Sequence, residues 1–108
     1  MWIVETLNAA VDAELEALPD DHLARFHRIV ALIESHGLGR VSDLYLDHLE
    51  GPLFEVTLKG KGIAAHAILV YVTARKRRVV VVRALVKTAR KTPHTEIWFA
   101  LTRARELK

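Results

Sequence analysis

Basic side chains that could bind phosphate are concentrated in the second half of this sequence. They are Lys59, Lys61, Arg75, Lys76, Arg77, Arg78, Arg83, Lys87, Arg90 and Lys91. A dense cluster of Lys and Arg is the electrostatic pattern of proteins that bind nucleic-acid backbones, so the sequence predicts a phosphate-rich partner. For residues 75–78 (RKRR), the alternative is a solvated hairpin tip that binds nothing.

Arg83 and two histidines lie in positions where they could take part in chemistry. Arg83 interrupts the apolar run VVVVRALV and either pairs inside the fold or emerges on a functional face. We favour the functional face, because the neighbours of Arg83 in sequence are basic. His66 lies among alanines and is either a core or edge histidine, or a proton-transfer group on the same concave face as Arg83. His94, beside Pro93, either caps a helix, is exposed, or contacts a substrate.

The motifs of several enzyme classes are absent from the sequence. It contains no GxSxG, P-loop, HExxH or GxGxxG motif. It contains no cysteine, which excludes disulfide scaffolds, Cys-based zinc sites and thiol nucleophiles. His22 and His27 are five residues apart and do not form a clean helical metal-binding pair, and His36 and His48 lie in or near the connector predicted at 38–51. We therefore expect neither a metal nor another cofactor.

The elements that must position these residues follow the order β-α-α-β-β-β-α. We predict strands at 2–6, 53–59, 63–73 and 79–86, a helical hairpin at 7–36, a connector at 38–51 and a C-terminal helix opened by 92–93. Asn8 and Asp20 are the expected N-caps, Gly37 ends the second helix, and Pro93 occupies the first helical position. Tight turns between the last three strands predict an antiparallel meander with 79–86 central in the sheet. A helical layer on one sheet face then gives an α+β sandwich.

Length and charge describe one domain with two unlike halves. The chain has 108 residues, 51% of them hydrophobic, which predicts a single domain over 1–108 with a real core. Residues 1–50 carry three Arg and ten Asp or Glu, a formal charge of −7, and residues 51–108 carry thirteen Lys or Arg and three Glu, a formal charge of +10. No apolar run approaches the ~18 residues of a membrane helix, and the first residues do not form a signal peptide. We expect a cytoplasmic protein that does not contact a membrane.

Two segments of the second half resemble a known protein family. The run from Glu50 to Val56 (EGPLFEV) resembles the EGGLYELR-like start of that family's sheet. The run from Arg83 to Pro93 (RALVKTARKTP), followed by Glu96, resembles its HGFVKKTQKTP-like stretch. The sequence is therefore similar to the phage-derived HigB-type branch of the RelE/ParE toxin superfamily, and the N-terminal strand and helical hairpin agree with it in order and length.

This resemblance implies a RelE-like fold and the toxin of a type II toxin–antitoxin system. Such a toxin is a ribosome-dependent mRNA endoribonuclease that inhibits translation, in which the ribose 2′-OH attacks the adjacent phosphate without a metal. The implied partners are the ribosome, mRNA and a cognate helix-turn-helix antitoxin of the HigA type. The implied catalytic residues are His66, Arg83 and Lys87. The implied RNA-binding residues are Lys59, Lys61, Arg77, Arg78, Arg90, Lys91 and His94.

The sequence departs from the family pattern at three places, and it leaves two other functions open. Where the family often has GIxR, this chain has Gly62-Ile63-Ala64-Ala65-His66; position 83 is often His and here is Arg; and a usual double Lys is here Lys87-Thr88. One alternative function is a ParE-like topoisomerase inhibitor with the same fold. The other is a noncatalytic module that binds nucleic acid or the ribosome.

Overall fold

The computed structural model describes residues 1–107, which form a mixed sheet with helices on both faces. The elements are β1 (Ile3–Thr6), α1 (Ala9–Glu16), α2 (Asp20–His36), α3 (Leu38–Tyr45), β2 (Asp47–Glu50), β3 (Leu53–Gly60), β4 (Ile63–Thr73), β5 (Arg78–Val86) and α4 (His94–Ala104). The sheet order is β1-β5-β4-β3-β2. Strands β3, β4 and β5 pair antiparallel as the predicted meander. The unpredicted β2 pairs antiparallel to β3 at one edge, and β1 pairs parallel to β5 at the other. The predicted α+β class is confirmed.

Local sequence signals explain where the first two helices begin and which side they bury. Asn8 caps α1, because its side chain accepts a hydrogen bond from the Val11 backbone N–H at 3.0 Å. Helix α2 buries Phe26, Ile29 and Ile33, which recur at helical spacing along one face. Gly37 ends α2 with φ of 82°, a left-handed conformation that glycine adopts without strain.

Two hydrophobic layers hold the helices to the sheet. On one face, α1, α2 and α3 pack on a core that includes Val11, Phe26 and Ile68. On the other face, α4 covers a smaller core through Ile97 and Ala100. The prediction of a helical layer on one sheet face was therefore incomplete, because the C-terminal helix packs on the opposite face. No helix within residues 1–107 is long and apolar enough to cross a membrane.

The predicted connector at 38–51 was wrong. It contains helix α3 and the edge strand β2. Gly39 and a short, charged strand (DHLE) obscure both elements in the sequence, because glycine lowers helix propensity and edge strands need not alternate. Two helix starts also differ by one residue from prediction, since Pro19 and Pro93 are the N-cap residues and the helices begin after them.

Candidate active site

A cleft with a volume of about 450 Å³ lies on the part of the α4-side sheet face that α4 leaves open. Its lining residues come from β2, β3, β4 and the segment after β5: Asp47, Thr57, Lys59, Ala65, Lys87, Thr88, Ala89 and Arg90. Thr57 and Lys59 share this face because they are two residues apart on one strand. The backbone N–H of Lys87 donates to the Ala65 carbonyl at 2.8 Å, which brings the end of β5 to the start of β4.

A buried carboxylate lies next to the cleft. Glu55 is only 3% exposed, and its Oε2 accepts from Lys87 Nζ at 2.9 Å and from Thr57 Oγ1 at 3.1 Å. Its Oε1 accepts from the hydroxyl of Thr92, which precedes α4. Lys87 Nζ also lies 3.3 Å from Thr57 Oγ1. The ammonium of Lys87 is therefore held in one place at the cleft wall.

The predicted phosphate-binding residues separate into two groups. Lys59, Lys87 and Arg90 line the cleft. Three other predicted residues are exposed but do not line the cleft: Lys61, Lys91 and His94. Lys61 is close in sequence to Lys59, Lys91 follows Arg90, and His94 is the first residue of α4.

Arg77 and Arg78 are at the opposite end of the sheet. Arg77 is the last residue of the turn between β4 and β5, and Arg78 begins β5 and pairs with Thr73 across the sheet. The length of β4 from Ala65 to Thr73 places that turn about 26 Å from the cleft. Arg78 also forms an ion pair with Glu5. The interpretation of all the basic residues as one cluster was therefore wrong, since the fold separates this turn from the cleft.

Arg83 does not line the cleft: it lies on the same face of the sheet, but in the part that α4 covers. A bulge places both Val82 and Arg83 opposite Leu69, and it turns the Arg83 side chain toward α1 and α4. There it pairs with Glu14 at 3.1 Å and Glu96 at 2.9 Å. The expectation that basic sequence neighbours keep Arg83 unpaired was wrong, because its counterions come from distant helices.

Glu14 is the centre of the network around Arg83. Its carboxylate also accepts from Arg103 at 2.7 Å and from the backbone N–H of Ala84 at 3.0 Å. Burial alone would raise the pKa of Glu14, but hydrogen bonds from Arg103 and Ala84, with the charges of both arginines, hold that pKa below its ordinary value. The hydrogen bond from the Arg83 side chain to Glu96 raises the pKa of Arg83, although burial acts in the opposite direction. This network joins α1, β5 and α4.

His66 faces the opposite side of the sheet from the cleft. It pairs with Leu58 in the sheet, whose side chain belongs to the core under α2. Its Nδ1 lies 3.0 Å from Nδ1 of His22 on α2, and both histidines are buried. The prediction that His66 shares a concave face with Arg83 was wrong, because the sheet alternation directs it under the helices.

His22 is completely buried, and its pKa lies below the ordinary histidine value. Burial is the main cause that lowers its pKa; Asp21 opposes this shift, and electrostatic interactions with His66 and Arg25 add to it. Its Nε2 is buried without a hydrogen-bond partner within residues 1–107, so a proton added there would be unsatisfied. A Cβ on Gly60 would lie 2.5 Å from Ile63 Cγ1 and 2.8 Å from this nitrogen, so a side chain at position 60 would require both neighbours to shift.

We expect the stability of the fold to decrease as the pH falls below the ordinary histidine pKa of 6.5. The unfolded chain then binds a proton that folded His22 resists, which costs at most about 1.4 kcal/mol per pH unit. Urea unfolding at pH 7.5, 6.5 and 5.5 measures this loss. His22→Gln should reduce the slope and His27→Gln, an exposed site on the same helix, should not; equal slopes in both variants would contradict this account.

Sequence reasoning missed Asp47, Glu55, Thr57 and Thr88. The signal for two of them was present, since Glu55, Thr57 and Lys59 alternate on one face of a predicted strand. Asp47 was hidden because its strand was predicted as a connector. In the described part of the chain, no group of three or more His, Asp or Glu side chains could hold a metal ion.

Comparison with known proteins assigns the chain to a family. The model of the family described as Phage derived protein Gp49-like (DUF891) matches residues 13–105. The chain belongs to the Gp49-like family. This Gp49-like protein is therefore a member of a family of RelE/HigB-type toxins, which confirms the resemblance found in the sequence.

The fold of the Gp49-like protein is that of RelE. It is similar to the crystal structure of the archaeal RelE–RelB complex from Pyrococcus horikoshii OT3, with a TM-score of 0.54. The match covers 81% of this chain and 96% of that chain at 14% sequence identity. No curated protein sequence matches the chain.

Proposed function

We propose that this Gp49-like protein is a toxin that cuts mRNA on the ribosome through the cleft beside Glu55. The observation that carries the proposal is that Lys59, Lys87 and Arg90 line one open cleft together with Asp47. Cations held beside a carboxylate suit cleavage of a phosphodiester, since they stabilise the negative charge that develops on phosphorus-bound oxygens. Membership of a RelE/HigB-type toxin family supports the same reaction.

The proposed reaction is attack by the ribose 2′-OH on the adjacent phosphate. The bond between the 2′-oxygen and phosphorus forms, and the bond from phosphorus to the 5′-oxygen breaks. Asp47 accepts the proton of the 2′-OH, and the ammonium of Lys59 donates a proton to the departing 5′-oxygen. The products are a 2′,3′-cyclic phosphate and a 5′-hydroxyl end. Lys87 and Arg90 stabilise the transition state, and neither His66 nor Arg83 takes part.

Further basic residues extend the proposed RNA surface beyond the cleft. Lys61, Lys91 and His94 are exposed, lie close in sequence to residues that line the cleft, and would bind neighbouring phosphates. Arg77 and Arg78, about 26 Å away, would contact a separate part of the RNA on the ribosome. The acidic helices α1 and α2 pack on the opposite face of the sheet and would face away from the RNA, whereas Asp47 of the acidic half lies in the cleft.

The proposed partner that controls this activity is an antitoxin. The similar archaeal RelE structure was solved as a complex with RelB, which supports a partner of this class. We propose a helix-turn-helix protein of the HigA type, encoded beside this chain, and action in the cytoplasm, where ribosomes translate. Co-expression of the adjacent reading frame should relieve the growth arrest that this chain causes by itself.

Lys59→Gln should lower the rate of mRNA cleavage by about 10²–10³-fold, because it removes one preorganised donor to the developing charge. Primer extension on mRNA from a purified translation reaction measures the cleavage. The matched control is Arg28→Gln, which removes the same charge from an exposed position on α2. Equal rates for the two variants would contradict the proposed site.

Growth, mRNA integrity and RNA binding, measured together, separate this function from the two alternatives. Growth arrest with intact mRNA and DNA damage signalling would indicate a ParE-like topoisomerase inhibitor. Salt-dependent RNA binding without any cleavage would indicate a noncatalytic module, because phosphate contacts release counterions. Either result would overturn the endoribonuclease proposal.

A further inference from the structure

One buried carboxylate holds both ends of the irregular segment that forms a wall of the cleft. Residues 87–93 connect β5 to α4 and contain neither helix nor strand. Lys87, at the start of this segment, donates to Oε2 of Glu55, and Thr92, near its end, donates to Oε1. The cleft residues Thr88 and Arg90 lie between these two attachments.

The geometry at Lys87 shows what the carboxylate does for the cleft. The side chain of Lys87 is 11% exposed and that of Glu55 is 4% exposed, so the pair is shielded from water. An ammonium has three N–H donors, and Glu55 and Thr57 take two of them. The third donor remains for a phosphate oxygen in the cleft. A charge held in this way needs no reorganisation when substrate binds.

We propose that Glu55 is a positioning residue, which fixes Lys87 and closes residues 87–92 into a preformed wall of the cleft. This inference rests on the proposed function for its catalytic consequence, but the closure of the segment can be tested without RNA. Simple electrostatics predicts the opposite effect on catalysis, because a carboxylate beside a phosphate site repels the substrate. Glu55→Gln therefore distinguishes positioning from charge.

Trypsin tests the closure directly, because Arg90 and Lys91 are cleavage sites within the segment. Glu55→Gln and Thr92→Val should each raise cleavage there by about tenfold relative to cleavage after Arg28, as the segment opens locally. Arg28 lies in α2 and reports global unfolding, so the ratio remains informative if a variant is destabilised. Thr92→Ser keeps the hydroxyl and should behave as wild type, as should Glu16→Gln at an exposed site. Unchanged ratios in both Glu55→Gln and Thr92→Val would overturn the proposal.

Steady-state cleavage of ribosome-bound mRNA tests the catalytic consequence. Glu55→Gln should lower kcat by about 10–100-fold, because Lys87 loses its fixed position, with little rise in KM since the site becomes more positive. A kcat equal to or above that of the wild-type protein would overturn the positioning role. If the wild-type protein cuts no mRNA while both variants open the segment, the proposed function fails and the closure by Glu55 stands.

Discussion

Asp47→Asn should lower the rate of mRNA cleavage by about 10²–10⁴-fold, the usual contribution of a positioned general base. The amide keeps the size of the side chain but cannot accept the proton of the 2′-OH. Asp47 lies on edge strand β2, directly opposite Glu55 in the sheet, and it is exposed, so the substitution should leave the fold intact. RNA binding should be unchanged or tighter, because the cleft loses a negative charge.

The control for Asp47→Asn is Asp43→Asn, which makes the same chemical change at an exposed position on helix α3. Rates are compared from single-turnover cleavage of ribosome-bound mRNA across pH, since loss of a general base also removes its limb from the pH–rate profile. If Asp47→Asn retains wild-type cleavage and an unchanged profile, another group accepts the proton.

Glu14→Ala should destabilise the fold by about 2–3 kcal/mol, because it leaves two partly buried arginines and a backbone N–H without their shared acceptor. For a domain of this size, that corresponds to a decrease in Tm of about 10–15 °C. Thermal unfolding at pH 7 measures the effect. Glu16→Ala, two residues away and exposed, is the matched control.

The effect of Glu14→Ala should also depend on pH with a definite sign. The folded pKa of Glu14 is held below its ordinary value of 4.5, so its contribution is complete above that pH. The contribution is lost as the pH falls below 4.5 and the folded carboxylate binds a proton. The difference between wild type and variant should therefore shrink in acid. A cost at pH 7 no larger than that of Glu16→Ala would show that the network around Arg83 contributes little.

The elements with strong periodic patterns could be predicted from the sequence, and those that depend on tertiary contacts could not. The strand at 63–73 has the predicted bounds, because a β-branched, apolar run between two turns strongly indicates a strand. Strand β2 is short, charged and stabilised only by pairing with β3, so its own residues carry no clear signal.

The candidate site shows the same division. Residue types predicted phosphate chemistry, and Lys59, Lys87 and Arg90 do line one cleft. The predictions that failed concern the direction in which two side chains point. One bulge in β5 sends Arg83 to two helices, and one step of alternation in β4 sends His66 away from the cleft. One sequence by itself does not indicate the register of strand pairing or the position of a bulge, and these two features decide which side chains come into contact.

The chemistry of the cut ends tests the central claim most directly. Purified protein is added to a translation reaction, and the new mRNA ends are mapped and typed in parallel with Asp47→Asn. The account predicts cuts within the ribosomal A-site codon that leave a 2′,3′-cyclic phosphate and a 5′-hydroxyl, formed by the wild-type protein and strongly reduced in the variant. Intact mRNA, or cuts that carry a 5′-phosphate and persist in Asp47→Asn, would contradict it.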